Sequence, residues 1–512
     1  MSETPDSSRR ATPAAPAQPG EPTLSEQMRV RRSKRERLLA AGISPYPTTV
    51  DRTSTLAEVV AGSDPAVLGP DARTGVEVAV TGRVIFLRNT GRLCFARLRE
   101  GDGTELQVML SAADVGDEQL AEFKSLVDIG DHLAVRGEVV TSRRGELSVR
   151  ALSWQIAAKT LRPLPNEHRP LSEEARVRLR YVDMIVRAQP RDMVRQRAAV
   201  LRALRATLDA QGYVEVETPV LQLTNGGAAA RPFRTRLNAF DQDMLLRIAL
   251  ELDLKKALVG GVERVYEIGK TFRNEGIDST HAAEFSMLEA YQAYGDYNTM
   301  AALLHDLVTA AARATGSTEV MLRDGSRIDL TAPWRSATLY ELVSEAVAMS
   351  VTPDTSVDDA RRLASLHSVE IRPGWGSGDI VLELYEKLVE HTLLVPTFVR
   401  DYPVAVKPLA KQHRTVAGVA EAFDLVVNGV ELATGFSEMN DPVVQRERLA
   451  EQALSAAEGN PEAMDLDEDF LRALEFGMPP AGGMGMGVDR LLMLISGAGI
   501  RETILFPLLR PE

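Results

Sequence analysis

Arg264–Tyr291 reads RVYEIGKTFRNEGIDSTHAAEFSMLEAY, two strand-like runs around a polar loop. The first, Arg264 to Glu275, carries Val265, Tyr266, Ile268 and Phe272 and ends in the charged string FRNEG. The second, Glu284 to Tyr291, alternates, and successive side chains of a strand point to opposite faces. Phe285, Met287, Glu289 and Tyr291 therefore share one face, and Ser286, Leu288 and Ala290 the other. An aromatic ring, a carboxylate and a phenol on one face, approached by Arg273 and Glu275, suit the floor of a ligand site. Buried carboxylates are costly unless paired, so such a floor calls for a cationic ligand, a metal or a neighbouring arginine. On this segment alone a half-exposed sheet face with solvated charges stays open.

Outward from this stretch, 512 residues suggest two to four domains. A hydrophobic content of 44% with 26% charged residues describes an ordinary soluble globular protein. No apolar run reaches the roughly 18 residues a membrane span needs, and the N-terminus lacks the apolar region of a secretory signal. The single cysteine, Cys94, excludes an internal disulfide and a multi-cysteine zinc site. A cytoplasmic location is the expectation. A net charge of −13 argues against indiscriminate nucleic-acid binding. Yet Arg29–Arg37, RVRRSKRER, packs six basic residues into nine, either a helix that tracks phosphates or a solvated helix face.

Residues 1–24, rich in Ser, Pro, Ala and Thr, are expected to be a disordered tail. Residues 25–60 form a basic helical segment, its helix over Ser25–Ala41 stopped by Gly42 and Pro45. Over 61–160 come VEVAVTGRV, RLCFARLRE, TELQVMLS, HLAVRGEVV and ELSVRAL, split by turns and one helical stretch, Ala112–Leu126. Five short strands with one helix fit a small Greek-key barrel of the oligonucleotide-binding (OB) kind. Its strand face carries Arg83, Phe95 and Gln107, with Glu146 nearby. There a phenyl ring offers a base platform, and amide and carboxylate groups offer base-edge hydrogen bonds; a lone Phe in a barrel strand equally serves a core.

A proline- and charge-rich linker over 161–180 leads into the remainder, 181–512. A long helix, Pro190–Gln211, has Val194, Ala198, Leu201, Leu204 and Leu208 at helical spacing, and YVEVETPVL follows as a strand ending at Pro219. Thr224–Phe233, TNGGAAARPF, is expected to be a mobile substrate loop, and Glu251 sits in the apolar run after it. Residues 298–416 give helical stretches and no chemistry. Ala422–Glu438, AFDLVVNGVELATGFSE, contains Asn428-Gly429, a strong hairpin signal. A two-residue loop pairs Val427 with Val430, Val426 with Glu431 and Asp424 with Ala433. That puts Asp424 and Glu431 on one side, where two carboxylates can hold Mg2+; plain alternation sends Thr434, Phe436 and Glu438 to the other. Gly482–Gly497, GGMGMGVDRLLMLISG, is a glycine-rich turn opening an apolar helix. Arg490 at its start can meet a phosphate with help from the helix dipole.

Together, FRNEG with EFSMLEAY, the helix and strand ending at Pro219, and GGMGMGVDR resemble motifs 2, 1 and 3 of the class II aminoacyl-tRNA synthetases, closest to the lysyl branch. The resemblance spans Glu26 to Pro511. It implies an α+β fold, a class II antiparallel sheet flanked by helices, preceded by an OB-fold anticodon-binding barrel whose readers are Arg83, Phe95, Gln107 and Glu146. It also implies a homodimer formed through the motif 1 region, and ATP-dependent attachment of L-lysine to tRNA(Lys) through a lysyl-adenylate. By the same resemblance Arg273 holds the α-phosphate of ATP and Arg490 the γ-phosphate, with Phe285 stacking on adenine against Arg490. Glu275 and His281 complete the nucleotide site, and Asp424 with Glu431 binds Mg2+. The side-chain ammonium of lysine meets Glu289 and Glu438 beside Tyr291, its α-amino group meets Glu251 and the Gly227 region, and Thr434 and Phe436 line the same pocket. Gathering both sets of hairpin residues into one site requires a bulge, expected near Gly435.

The chain departs from the lysyl pattern at clustered places. Leu250 and Asp253 stand for Pro and Tyr, Ala282-Ala283 for Asn-Pro, Ala433 for Gly, and Thr434 for an Asn expected at the substrate carboxylate. These departures keep a second reading open: a synthetase-derived paralogue that activates lysine or an analogue for a non-tRNA acceptor.

Overall fold

A computed structural model describes residues 24–165, 170–457 and 463–510. Of the expected tail, all but Leu24 lies outside them. The chain forms two compact units, divided between Pro170 and Leu171.

The first unit is a closed five-stranded barrel in the order Arg73–Asn89, Leu93–Arg99, Glu105–Ser111, Leu147–Ala158, His132–Thr141. Alternation builds it: Cys94, Ala96 and Leu98 point into the core while Phe95, Arg97 and Arg99 face out. The expected helix over Ala112–Leu126 is two helices, Ala112–Val115 and Asp117–Leu126. Gly116 breaks it at φ +87°, a conformation open to glycine. The second helix sends Leu120, Phe123 and Leu126 into the barrel core. The basic helix, Glu26–Ala40, docks on this unit through Leu38, 1% exposed. Its cations divide. Arg31 donates to the carbonyls of Ile129 (2.8 Å) and Thr160 (3.3 Å), and Lys34 pairs with Asp128 at 2.6 Å. Arg29 and Arg32 remain on the exposed side.

In the second unit an eight-stranded sheet runs Arg335–Thr338, Thr397–Pro403, Val419–Val427, Val430–Ser437, Ala481–Gly487, Glu284–Ala293, Arg264–Phe272, Val214–Glu215. All neighbours are antiparallel except the outermost pair at each edge. One face buries Leu288, Ala290, Leu425, Met484 and Met486 with the helices Gln189–Ala210 and Tyr297–Ala314. The opposite face carries the polar side chains described below.

Three local expectations change. The strand after the long helix is only Val214–Glu215, because the Thr218 N–H goes to the Glu267 carboxylate (3.0 Å) instead of a ladder and Pro219 has no N–H. The long helix buries Val200, Leu204 and Leu208, while Val194 is largely exposed. The last part of the expected linker is helical, Glu173–Arg178 in the second unit, with the Ser172 hydroxyl accepting from the Ala175 N–H.

The hairpin holds the largest correction. Val427 pairs with Val430 and Val426 with Glu431, but the register then slips, and Leu425 pairs with Ala433, Asp424 with Thr434, and Ala422 with Phe436. The extra residue is Leu432, three positions before the expected bulge at Gly435. Cross-strand partners share a face, so Glu431, Asp424, Thr434 and Phe436 all lie on the polar side. Leu432 turns into the core at 4% exposure.

Candidate active site

Glycines make the floor of the site. In the strand Ala481–Gly487, Gly485 lies between Glu289 and Thr434, and Gly483 between Tyr291 and Phe436. A Cβ at Gly483 would overlap the Glu438 carboxylate and the Tyr291 ring. Two adjoining cavities open over this floor and share Arg273, Met287, Glu431, Thr434 and Gly485.

The first cavity holds Arg273, Glu275, His281, Phe285, Glu431 and Arg490. Arg490, in the first turn of the helix Val488–Ser496, donates through Nη1 to the Glu431 carbonyl at 2.6 Å and through Nη2 to His281 Nε2 at 3.2 Å. A guanidinium only donates, so His281 Nε2 accepts and its Nδ1–H faces Asp278, 2.9 Å away. The Thr280 backbone N–H, then His281, hold Asp278 well below the usual carboxylate range. The cation over Phe285 is Arg273, at 5.3 Å from the ring centroid. Phe285 and Arg490, expected on either side of adenine, line the same cavity, with Arg273 over one side of the ring and Arg490 bonded to His281. Glu275 accepts from the Arg231 N–H at 3.1 Å. At the Ala282-Ala283 departure the Ala283 carbonyl accepts from the Arg273 N–H (2.9 Å), a contact that needs no particular side chain.

Asp489 was not singled out in the sequence, yet it anchors this cavity. It is 2% exposed, pairs with Arg197 at 2.5 Å and accepts from the Ser286 N–H at 2.7 Å. These bonds pin the helix that carries Arg490 to the central strand. Its position beside Arg490 was the available signal.

The second cavity holds Gly227, Glu251, Glu289, Tyr291, Thr434 and Phe436. Gly227, at φ +85°, faces Ala249 and Glu251 across a gap with no room for a side chain. The loop around it, expected to be mobile, is held at its start. Asn225 N–H donates to Asp465 at 2.8 Å and the Thr224 hydroxyl to Asp467 at 2.7 Å. Glu289 accepts from the Tyr291 hydroxyl and the Leu250 N–H, both at 2.9 Å. Leu250 is a departure with a consequence, because a proline there would have no N–H to give. Asp253 points elsewhere, accepting from Gln222 at 2.9 Å. The Thr434 hydroxyl donates to the Phe423 carbonyl at 3.3 Å.

Glu251 and Glu438 are joined by a residue the sequence reading passed over. Lys255 is fully buried, 2.5 Å from Glu251 and ion-paired with Glu438. Burial works against its charge, but the two carboxylates prevail and raise its pKa to about 12. Burial pushes Glu438 up against the pull of Lys255. Glu289 has no cation bonded to it among the described residues, and burial followed by Glu251 pushes it up to about 7. The i, i+4 spacing of Glu251 and Lys255 was the legible sign.

Asp424 and Glu431 lie on one face, as the metal reading requires, but they differ in availability. Both Asp424 carboxylate oxygens accept from Lys407 Nζ at 3.0 Å. Glu431 faces both cavities and, among the described residues, enters no ion pair. Beside it, burial and then Glu431, Glu386 and Asp424 push Glu390 up to about 7. That surplus of negative charge suits a cation. Among the described residues no three carboxylate, His or Cys groups stand ready to hold a metal.

In the barrel, Phe95 pairs with Met109 and Arg88, and Gln107 with Arg97 and the buried Ser148, on the face away from the barrel core. Glu146 joins them through Arg97 at 2.8 Å. Arg83 does not join them. It lies four residues along the sheet, opposite Arg99, and donates to the Gly130 carbonyl at 2.8 Å, with burial lowering its pKa. Phe86 takes the place instead: the strand is irregular between Val84 and Phe86, and Phe86 sits opposite Arg97, half exposed.

Comparisons with known proteins agree with this geometry. Residues 172–510 match the family model described as tRNA synthetases class II (D, K and N), and residues 78–157 the OB-fold nucleic acid binding domain. The chain belongs to the class II tRNA synthetases of this D, K and N group. A lysine–tRNA ligase of Mycolicibacterium gilvum is 55% identical over 95% of this chain and 97% of its own length, and one of Mycobacterium bovis 53% identical over 96% and 98%. Within the family the chain is thus an aminoacyl-tRNA ligase of the lysine type. A protein of Mycolicibacterium vanbaalenii named as a lysylphosphatidylglycerol biosynthesis bifunctional protein is 47% identical over 96% of this chain and 44% of its own length. No helix among the described residues is long and apolar enough to cross a membrane.

Proposed function

We propose that the protein activates L-lysine with ATP to a lysyl-adenylate and transfers the lysyl group to tRNA(Lys) in the cytoplasm. The observation that carries this is the carboxylate cluster at the second cavity. Glu251 and Glu289 line it and Glu438 is buried outside its lining; among the described residues the one ammonium bonded to these three is Lys255, which leaves them two negative charges when all are ionised. Lysine brings two ammonium groups. Its side chain would meet Glu289, Tyr291 and Glu438, and its α-amino group Glu251 beside Gly227. Its carboxylate would then lie toward Arg273, the residue shared with the nucleotide cavity.

In the first step a lysine carboxylate oxygen forms a bond to the α-phosphorus, the α–β bridging bond breaks, and pyrophosphate leaves. Arg273 holds the α-phosphate and Arg490 the γ-phosphate, with Phe285, Glu275 and His281 holding the nucleotide. A terminal ribose hydroxyl of tRNA then attacks the carbonyl and AMP leaves. Positioning and fixed charge supply the catalysis. Mg2+ would be held by Glu431 together with the ATP phosphates, where it neutralises charge on the leaving pyrophosphate. Phe95, Gln107 and Glu146 read the anticodon loop. The apolar positions Val194, Val214, Val220 and Leu221, exposed on the single chain, are proposed as part of a homodimer contact.

The test is ATP–pyrophosphate exchange with each amino acid in turn, followed by charging of total tRNA. Exchange with L-lysine and lysylation of tRNA(Lys) are expected; silence with lysine would overturn the reading. The relative named for lysylphosphatidylglycerol biosynthesis supports a second reading, lysine activated for another acceptor, which exchange without tRNA charging would favour.

A further inference from the structure

Lys407 leaves the short helical turn Val404–Val406 and points into the amino-acid cavity, beside the polar face of the hairpin. Its ammonium lies 3.0 Å from each oxygen of Asp424. Tyr402 and Phe436 wall it at 4.4 Å and 5.9 Å from their ring centroids, positions that favour a cation. Asp424 is 7% exposed and has little access to water. A Mg2+ ion requires carboxylate oxygens at roughly 2.0–2.1 Å in octahedral order. An ammonium bridging both oxygens of one carboxylate occupies the position of such an ion, and the two cannot be bound there together. Glu431, on the same face, keeps its carboxylate free for the nucleotide's metal.

We propose that Lys407 is a cation built into the site: it fills the position at Asp424 that a metal ion would take, so that divalent metal is bound through Glu431 and the ATP phosphates without Asp424. The inference rests on the nucleotide assignment above. It makes this chain's metal requirement smaller by one ligand than its pair of hairpin carboxylates suggests. It also places a fixed positive charge in the wall of the lysine pocket.

The test counts bound Mn2+ by electron paramagnetic resonance of the free ion, with and without a non-hydrolysable ATP analogue. Wild type, D424N, K407M and the double variant K407M/D424N are compared. D424N is expected to bind Mn2+ within about twofold of wild type. K407M should gain one Mn2+ per chain or bind at least tenfold tighter, with the gain lost in the double variant. A tenfold weakening in D424N, or no gain in K407M, would overturn the proposal. K407M leaves a buried carboxylate without its partner, so if it does not fold, D424N decides alone. The comparison without nucleotide reads the Asp424–Glu431 pair directly, so loss of lysine-dependent exchange would sink the proposed function and leave the metal result standing.

Discussion

Under the proposed function, Glu289 is the residue at which folding and binding pull in opposite directions. Burial, then Glu251, raises its pKa to about 7, so the fold favours the protonated carboxyl whereas a substrate ammonium needs the carboxylate. The folded chain holds this proton in a range where the unfolded chain has released it. The associated stability is therefore complete below the ordinary carboxylate pKa and lost as pH rises through about 7. At pH 8 without lysine, E289Q is expected to unfold at higher urea than wild type, by about 1–3 kcal/mol. It should also lose lysine-dependent pyrophosphate exchange. In wild type, kcat/KM for lysine should fall as pH drops below about 7, and a flat profile would refute this role. Lys255 presents the complementary case. K255M leaves Glu251 and Glu438 as buried charges without a cation, a change expected to cost about 3–5 kcal/mol. Adding E251Q removes one of those charges and should return at least half of the loss in urea unfolding; no recovery would mean that Lys255 acts through packing.

At the scale of elements, the hairpin and the glycine strand place the site. The turn was legible because Asn428 and Gly429 take positive φ, +59° and +73°, as a tight hairpin requires. The position of the bulge was not. It follows from the next strand over, where Ala433 meets Met486 and Thr434 meets Gly485, and no pattern within the hairpin encodes that partner. Strand Ala481–Gly487 contributes by what it lacks. G483A places a methyl group against the Glu438 carboxylate and the Tyr291 ring. Overpacking of this kind costs about 1–3 kcal/mol. KM for lysine is expected to rise at least tenfold in pyrophosphate exchange while KM for ATP stays within threefold. Equal losses for both substrates would show that the strand as a whole had moved. The adjoining loop Thr224–Phe233 shows what composition leaves out: Asp465 and Asp467, some 240 residues away, hold its first two residues.

For the whole molecule, the proposed function assigns anticodon reading to the unit ending at Pro170 and the chemistry to the unit after it. Phe95, Gln107 and Glu146 share an outer barrel face with Phe86 and Arg97, while the residues proposed for adenylation all lie in the second unit. F95A is expected to lower kcat/KM for tRNA charging about 10–100-fold, the value of one stacked base. Lysine-dependent pyrophosphate exchange without tRNA should be unchanged; a matching fall in exchange would refute this division of labour. Sequence by itself determined the class of fold, the barrel strands, the hairpin and the motif elements, and with them the motif side chains that line both cavities. Strand alternation, turn residues and the three motif strings are local, and local spacing dictates which face of an element a side chain takes. Tertiary structure decided how the charges are shared: Lys255 between Glu251 and Glu438, Lys407 on Asp424, Asp489 on Arg197, and Arg83 turned away from the other barrel candidates. Only the first of these pairs has a helical spacing that announces it. The others join residues from separate elements, and which cation reaches which carboxylate depends on burial and on a register set by a neighbouring strand.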